Sequence, residues 1–253
     1  MIEPVEIIAI HDRTAEGNGV SRPFRCEGED ACDYFVKLKN AGYECLVKEW
    51  VAGRLAQEMG LPVAGLRQVR IPRELIAGNA EYETDLGHGI AFGSLKVDAA
   101  VRLSLEFIRR DDSGHLSRIL LFDWWVRNAD RALTEIGGNP NLLWEISTRR
   151  VVMIDHDNAF DSAFDPAAFR DFHALRAHRG CWEPSRRGEL EAWLAGGLAR
   201  LDAIWAELPE EWLVDPHGDS RCRLDKAGLN AVLSSFQTGP DFWEWPLNPT
   251  SSP

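Results

Sequence analysis

The stretch from Asp123 to Phe160 constrains this chain more than any other. It reads D-W-W-V-R-N-A-D-R, then G-G-N-P-N-L-L-W, then V-V-M-I-D-H-D-N-A-F. Each polar cluster sits at the end of a short apolar run. Such runs are bounded and rigid, and polar groups at their ends are held where they can converge on one point.

The 253 residues, 45% of them hydrophobic, suffice for one large domain or two lobes with a buried core. Ten Trp add large apolar contacts. A formal net charge of -12 argues against nucleic acid or an anionic membrane surface as the main partner, because phosphate-rich polymers need basic patches. The five Cys are odd in number and lack C-x-x-C spacing, which fits reduced thiols in the cytoplasm better than zinc or a disulfide framework. No signal peptide is evident at Met1–Pro4, and no apolar run approaches the ~18–20 residues of a membrane span.

Val5–Ile10, Asp33–Leu38 and Leu66–Ile71 read as strands, with a turn at Gly17-Asn18-Gly19 and a return strand starting within 20–25. From Glu44 to Met59 the apolar residues recur at helical spacing, and Gly60 stops the helix. Residues 1–95 are therefore mostly sheet with one long helix. Leu116–Val126 is a strongly apolar helix, followed by short strands at Asn141–Trp144 and Arg150–Ile154. Glu189–Leu208 and Asp225–Phe236 are helical. A sheet-rich front and a helical back predict an α+β, two-lobed chain, 1–95 and 96–253, with a loop at Asp111–Gly114 near the join.

Asp130 follows the apolar helix, as would a carboxylate that orients an acceptor hydroxyl and takes its proton. The bland reading has Asp130 capping a turn and pairing with Arg131. Asn141 offers a neutral amide oxygen suited to Mg2+, whereas Asn139 belongs to the turn Gly137–Pro140. Asp155 directly after a buried strand can chelate Mg2+ bridging phosphates. His156 has no second His or Cys near it in sequence and is discounted as a metal ligand. Lys37 shares a strand face with Phe35 and Lys39 and can reach phosphates, with Lys39 as its solvated control. Glu44 and Glu49 compete to orient it, Glu49 lying deeper in the helix. Gly17, Gly19, Ser21 and Arg22 form a turn whose backbone N–H groups can cover phosphates. Gly-rich turn, strand Lys, helix Glu, loop Asp, Asn and strand-end Asp follow one another in the serial order of a two-lobed kinase.

The segments S-R-P-F, Y-F-V-K-L-K, E-W-V-A-G-R-L-A-Q-E-M-G-L-P-V, F-D-W-W-V-R-N-A-D-R, N-P-N-L-L-W and I-D-H-D-N-A-F resemble the HipA-like kinases, relatives of protein kinases and phosphatidylinositol kinases, and their short stand-alone branch in particular. The resemblance runs from Val5 to Phe160; beyond about 165 it extends only to a helical C-lobe. It implies a protein-kinase-like fold with ATP between the lobes. It also implies Lys37 on the phosphates and paired with Glu49, Asp130 as catalytic base, and Asn141 and Asp155 as Mg2+ ligands. Relatives phosphorylate Ser or Thr, in a protein or on themselves.

The chain departs from the ordinary kinase pattern in two places. Asp130 and Asn141 stand further apart than in D-x-x-x-x-N, which keeps Asn139 in play. Asp155 is followed by His156 and Asp157 instead of Phe-Gly, so Asp157 competes with or joins Asp155. The chain is short for a HipA toxin and is expected to lack its extra N-terminal subdomain, so no antitoxin partner is carried over. Two other readings stand beside an ATP- and Mg2+-dependent kinase with a hydroxyl acceptor: a nucleotide-binding pseudokinase or interaction module, and a kinase of a lipid head group or metabolite. Trp182, Trp212, Trp243 and Trp245 are expected to pack the tail onto the helical lobe, or else to form an exposed patch.

Overall fold

Period-two apolar patterning in the first hundred residues closes five strands into a barrel. In the computed structural model, which describes residues 2–14, 22–110, 114–134, 137–215, 217 and 219–247, β1 (Val5–Arg13) pairs antiparallel with β2 (Phe24–Gly28). β2 pairs with β3 (Asp33–Lys37). After helix α1 (Tyr43–Glu58) come β4 (Leu66–Ile71), the short α2 (Arg73–Ile76) and β5 (Gly89–Leu95). β5 lies antiparallel between β3 and β4, and β4 runs parallel to β1, which completes the ring. Ile7, Phe24, Tyr34, Val36 and Val69 fill it.

α1 packs on this barrel through Leu46, Val47, Trp50, Val51 and Leu55, all buried at helical spacing. Gly53 permits the close approach: a Cβ there would stand 2.5 Å from Leu66 Cδ1. The helix stops at Gly60, whose left-handed φ of 74° suits glycine and whose N–H donates to the Gln57 carbonyl.

The second half begins with β6 (Ala100–Arg102), α3 (Leu105–Arg110) and α4 (His115–Trp125). A hairpin of β7 (Ala132–Thr134) and β8 (Gly137–Asn139) leads to β9 (Leu142–Glu145) and β10 (Arg150–Met153), which join β6 in the order β10-β9-β6. Helices α5 (Pro166–Phe172), α6 (Arg187–Leu198), α7 (Leu201–Trp205), α8 (Glu210–Leu213), α9 (Lys226–Leu233), α10 (Ser235–Thr238) and α11 (Pro240–Leu247) complete it. α4 is the centre of this lobe, with Trp124 packed on Trp245 at 4.9 Å between ring centroids. The fold is α+β and two-lobed, as expected.

Three expectations change. The helix read over Glu189–Leu208 is two, α6 and α7; Ala199 and Arg200 stay in right-handed backbone between them, so one apolar spacing runs through both. Asp225–Phe236 divides likewise into α9 and α10. β5, with two glycines in seven residues, carried too weak a strand pattern to be read. Gly17, Gly19, Ser21 and the Asp111–Ser113 part of the expected loop lie outside the described residues.

Hydrogen bonds tie the lobes together on both sides of α1. Met153 N–H donates to the Pro62 carbonyl and the Met153 carbonyl accepts from Ala64 N–H, so the segment after α1 pairs with β10. On the other side, residues 207–212 return to the barrel. Glu207 accepts from Trp50 Nε1 (3.1 Å) and Arg54 Nε (3.0 Å), and its carbonyl accepts from Gln68 Nε2 (2.7 Å). Trp212 Nε1 donates to the Ile90 carbonyl at 2.7 Å, and the Glu211 carboxylate takes the Ile90 N–H. Trp182, Trp243 and Trp245 are buried with the tail, but Trp212 belongs to the barrel side, edge-on to Trp50. Among the described residues no helix is long and apolar enough to cross a membrane, and Cys26, Cys32, Cys45 and Cys222 are free thiols.

Candidate active site

A cleft of about 340 Å³ opens between the barrel and the β6–β9–β10 sheet. Its lining combines apolar side chains, Phe35, Leu95, Val97, Leu143 and Ile154, with the polar Lys37, Glu49, Asn141 and Asp155. A larger hollow of about 1120 Å³, between Tyr43 and Arg221, contains none of these polar groups. The smaller cleft is therefore the candidate site.

Lys37, at the end of β3, is only 4% exposed. Its Nζ donates to Glu49 Oε1 (2.7 Å), Asp155 Oδ1 (2.9 Å) and Asp157 Oδ2 (3.0 Å). Burial alone would lower its pKa, but Glu49 and Asp155 outweigh burial and hold it well above 10.5, so it stays charged. Glu49 is buried too; burial raises its pKa, yet Lys37 and the His156 contacts bring it below the ordinary value. Its other oxygen, Oε2, accepts the His156 backbone N–H at 2.8 Å. One carboxylate of α1 thus holds both the lysine and the turn between Asp155 and Asp157. Glu44 instead pairs with Lys48 on the outer side, and Lys39 is exposed with its Nζ on the Glu83 carbonyl.

Asp155 follows β10 with φ 59°, and Asn141 precedes β9 with φ 48°. Both take left-handed backbone, which Asn and Asp tolerate and which clusters at functional sites. Burial raises the Asp155 pKa, and Glu49 and Asp157 add to it against Lys37, bringing it to about 6. Carboxylate oxygens of Glu49, Asp155 and Asp157 lie within 4.8 Å of one another. Asn141 Nδ2 donates to Asp130 Oδ2 at 2.8 Å, which leaves the amide oxygen as an acceptor. Asn139 turns its side-chain oxygen onto the Asn141 N–H, the turn role expected of it. Hard oxygen donors in this number suit a small divalent cation.

Asp130 keeps an open edge to solvent, but its surroundings raise its pKa: burial first, then the Asp155 charge, partly offset by the Asn141 hydrogen bond. Arg131 does not pair with it. Arg131 Nε binds Asp123 Oδ2 at 2.9 Å, where Asp123 also meets His173 Nε2 (3.2 Å) and Asn128 Nδ2 (3.2 Å). Asp123, Arg131 and His173 have fully buried side chains. Arg22 does not line the cleft; its Nε lies 3.5 Å from the Thr14 carbonyl, while its neighbours Pro23 and Thr14 do line it.

This buried triad has a pH consequence. Burial holds the His173 pKa below its ordinary 6.5, with Asp123 opposing only in part. From 6.5 down to the folded value, the unfolded chain binds a proton that the fold does not, so stability falls as pH drops through that window. Urea denaturation between neutral and mildly acid pH should show this slope, and His173→Gln should flatten it. An unchanged slope in the variant would assign the acid sensitivity elsewhere.

Over residues 7–246 the sequence matches the HipA-like kinase family. The chain belongs to that family. Among solved structures, this HipA-like kinase is similar to the Helicobacter pylori proinflammatory kinase CtkA at TM-score 0.50 and 11% identity, over 93% of this chain and 95% of that one. The Golgi casein kinase aligns at TM-score 0.40 and 13% identity, over 96% of this chain and 73% of its own. No curated protein matches the sequence significantly. The family and the first of these structures agree with the kinase-like fold.

Sequence reasoning assembled Lys37, Glu49, Asp130, Asn141 and Asp155; the structure brings four of them to one cleft, and Asp130 joins it through its hydrogen bond with Asn141. It missed two groups around them and left Asp157 open as an alternative or an addition to Asp155. Asp157 shares Lys37 with Asp155. Asn158 adjoins Asp130 and acts to lower its pKa. Asp123 and His173 hold Arg131 from behind.

Proposed function

We propose that this HipA-like kinase transfers the γ-phosphate of ATP, with Mg2+, to a hydroxyl, that of a Ser or Thr in a protein or in the chain itself. The observation that carries the reading is the charged Lys37, joined to Glu49 and Asp155 in a cleft whose lining also offers apolar side chains for a purine. In this reading the nucleotide lies between lobes 1–95 and 96–253. The free thiols fit the cytoplasm, and neither nucleic acid nor an antitoxin is invoked.

Each residue has a physical task. Lys37 holds phosphate oxygens, and Glu49 keeps the ammonium aimed. Asp130 accepts the proton of the acceptor hydroxyl while that oxygen bonds to the γ-phosphorus and the bond to the β–γ bridging oxygen breaks. Its raised proton affinity makes it a better base than an ordinary surface carboxylate. Asn141 donates to Asp130 and steadies it. Asn141 and Asp155, which both line the cleft, would hold Mg2+, with an Asp157 oxygen within 4.8 Å of Asp155; the ion when bound would offset negative charge on the phosphate oxygens.

The test is incubation of the purified protein with γ-labelled ATP and Mg2+, following label on the chain and ATP loss. Transfer supports the proposal. Thermal stabilisation by Mg-ATP with no transfer under any acceptor tried would favour a pseudokinase. Loss of ATP stimulated by a hydroxylated metabolite, with no protein labelled, would move the acceptor to small molecules. Asp155→Ala is expected to abolish Mg2+-dependent nucleotide binding in calorimetric titration; equal affinity in wild type and variant would remove Asp155 from the metal site.

A further inference from the structure

Arg131 is a fully buried guanidinium placed where burial is costly and where a core needs no charge. Its terminal Nη2 finds no protein partner, so the side chain is not there to satisfy itself. What it does reach is specific. Nη1 donates to the Asn141 carbonyl at 2.6 Å and to the Ile154 carbonyl at 2.9 Å. The Ile154 carbonyl belongs to the peptide that leads into Asp155. The Asn141 carbonyl also accepts the Ile154 N–H at 3.1 Å, so the two turns meet on this guanidinium. Both turns carry the left-handed residues of the site, Asn141 and Asp155. Arg131 itself directly follows Asp130 in the chain.

We propose that Arg131 is the positioning residue that sets the spacing between Asp130 and the metal-binding pair Asn141 and Asp155, with Asp123 as its anchor. The inference rests on the function proposed above. One planar group with fixed donor directions joins three segments that are far apart in sequence, which a flexible ammonium cannot reproduce. Asp123 grips Nε from α4, and His173 and Asn128 grip Asp123. The strut therefore runs from the centre of the helical lobe to the backbone of both metal-binding turns. Groups that orient metal ligands from behind typically change metal affinity by about 10–100-fold when removed.

The experiment measures Mn2+ binding by paramagnetic resonance, with and without ATP, in wild type, Arg131→Lys and Asp123→Asn. Arg131→Lys keeps a cation for Asp123 but cannot span both carbonyls; Asp123→Asn keeps Arg131 and removes its charged anchor. Folding is checked by circular dichroism, and Trp212→Phe, at a buried residue that does not line the cleft, serves as the control for loss of stability alone. The expected result is Mn2+ affinity weaker by about 10–100-fold in the two strut variants and unchanged in Trp212→Phe. Wild-type affinity in a folded Arg131→Lys or Asp123→Asn protein would overturn the inference, as would an equal loss in Trp212→Phe. Failure of the wild type to bind Mn2+ with ATP would instead overturn the proposed function, and this role with it.

Discussion

Asp130→Asn is expected to bind Mg-ATP as the wild type does and to lose phosphoryl transfer by about 10²–10⁴-fold, the usual contribution of a positioned general base. The amide retains shape and still meets Asn141, whose Nδ2 lies 2.8 Å from the Asp130 carboxylate. What disappears is the basic oxygen, whose proton affinity burial and the neighbouring Asp155 have raised. Lys37, Glu49 and Asp155 are untouched, so nucleotide affinity has no reason to change. Parallel titrations of ATP binding and single-turnover transfer separate the two quantities. A parallel loss of binding and transfer would mean that Asp130 holds the metal or the fold instead of the proton. Unimpaired transfer would place the base elsewhere, with Asp157 the next carboxylate to test.

Trp212→Ala should destabilise the protein by about 3–5 kcal/mol, the range for removing a fully buried Trp from a core. For a chain of this size that is a fall in midpoint on the order of 10 °C. Trp212 is fully buried on the barrel side, edge-on to Trp50 with ring centroids 6.3 Å apart. Its Nε1 also satisfies the Ile90 carbonyl at 2.7 Å, so truncation strands a buried acceptor as well as opening a cavity. Trp50 belongs to α1, the helix that carries Glu49. Chemical denaturation should show one transition shifted as a whole. A shift below about 1 kcal/mol, typical of a surface site, would mean that residues 207–212 lie loosely on the barrel and do not help to hold α1.

Much of this protein was legible without coordinates. The helix over α1 and the strand Leu66–Ile71 appeared within a residue of their ends, because apolar spacing reports which face is buried. The polar residues of the cleft were legible because each interrupts or ends an apolar run. Asp123 sent the same signal, a charge inside the apolar run Leu120–Trp125, and a buried charge demands a partner. The sequence left that partner unnamed, and the bland reading of Asp130 gave Arg131 to it by proximity. Arg131 stands next to Asp130 in sequence, but its side chain turns inward to Asp123 on α4.

The sequence by itself determined the order of the main elements, the α+β division into a sheet-rich front and a helical back, and the residues whose chemistry suits a nucleotide and a cation. Only the tertiary structure decided which groups meet: Asp157 joining Asp155 on Lys37, Arg131 reaching the Asn141 and Ile154 carbonyls, and Trp212 returning to the barrel beside Trp50. The reason is physical. Periodicity encodes which side of an element leaves water, since burial depends on the residue and its face alone. Pairing depends on where the rest of the chain passes, and partners such as Trp50 and Glu207, joined by a 3.1 Å hydrogen bond, are brought together by packing that no local pattern records.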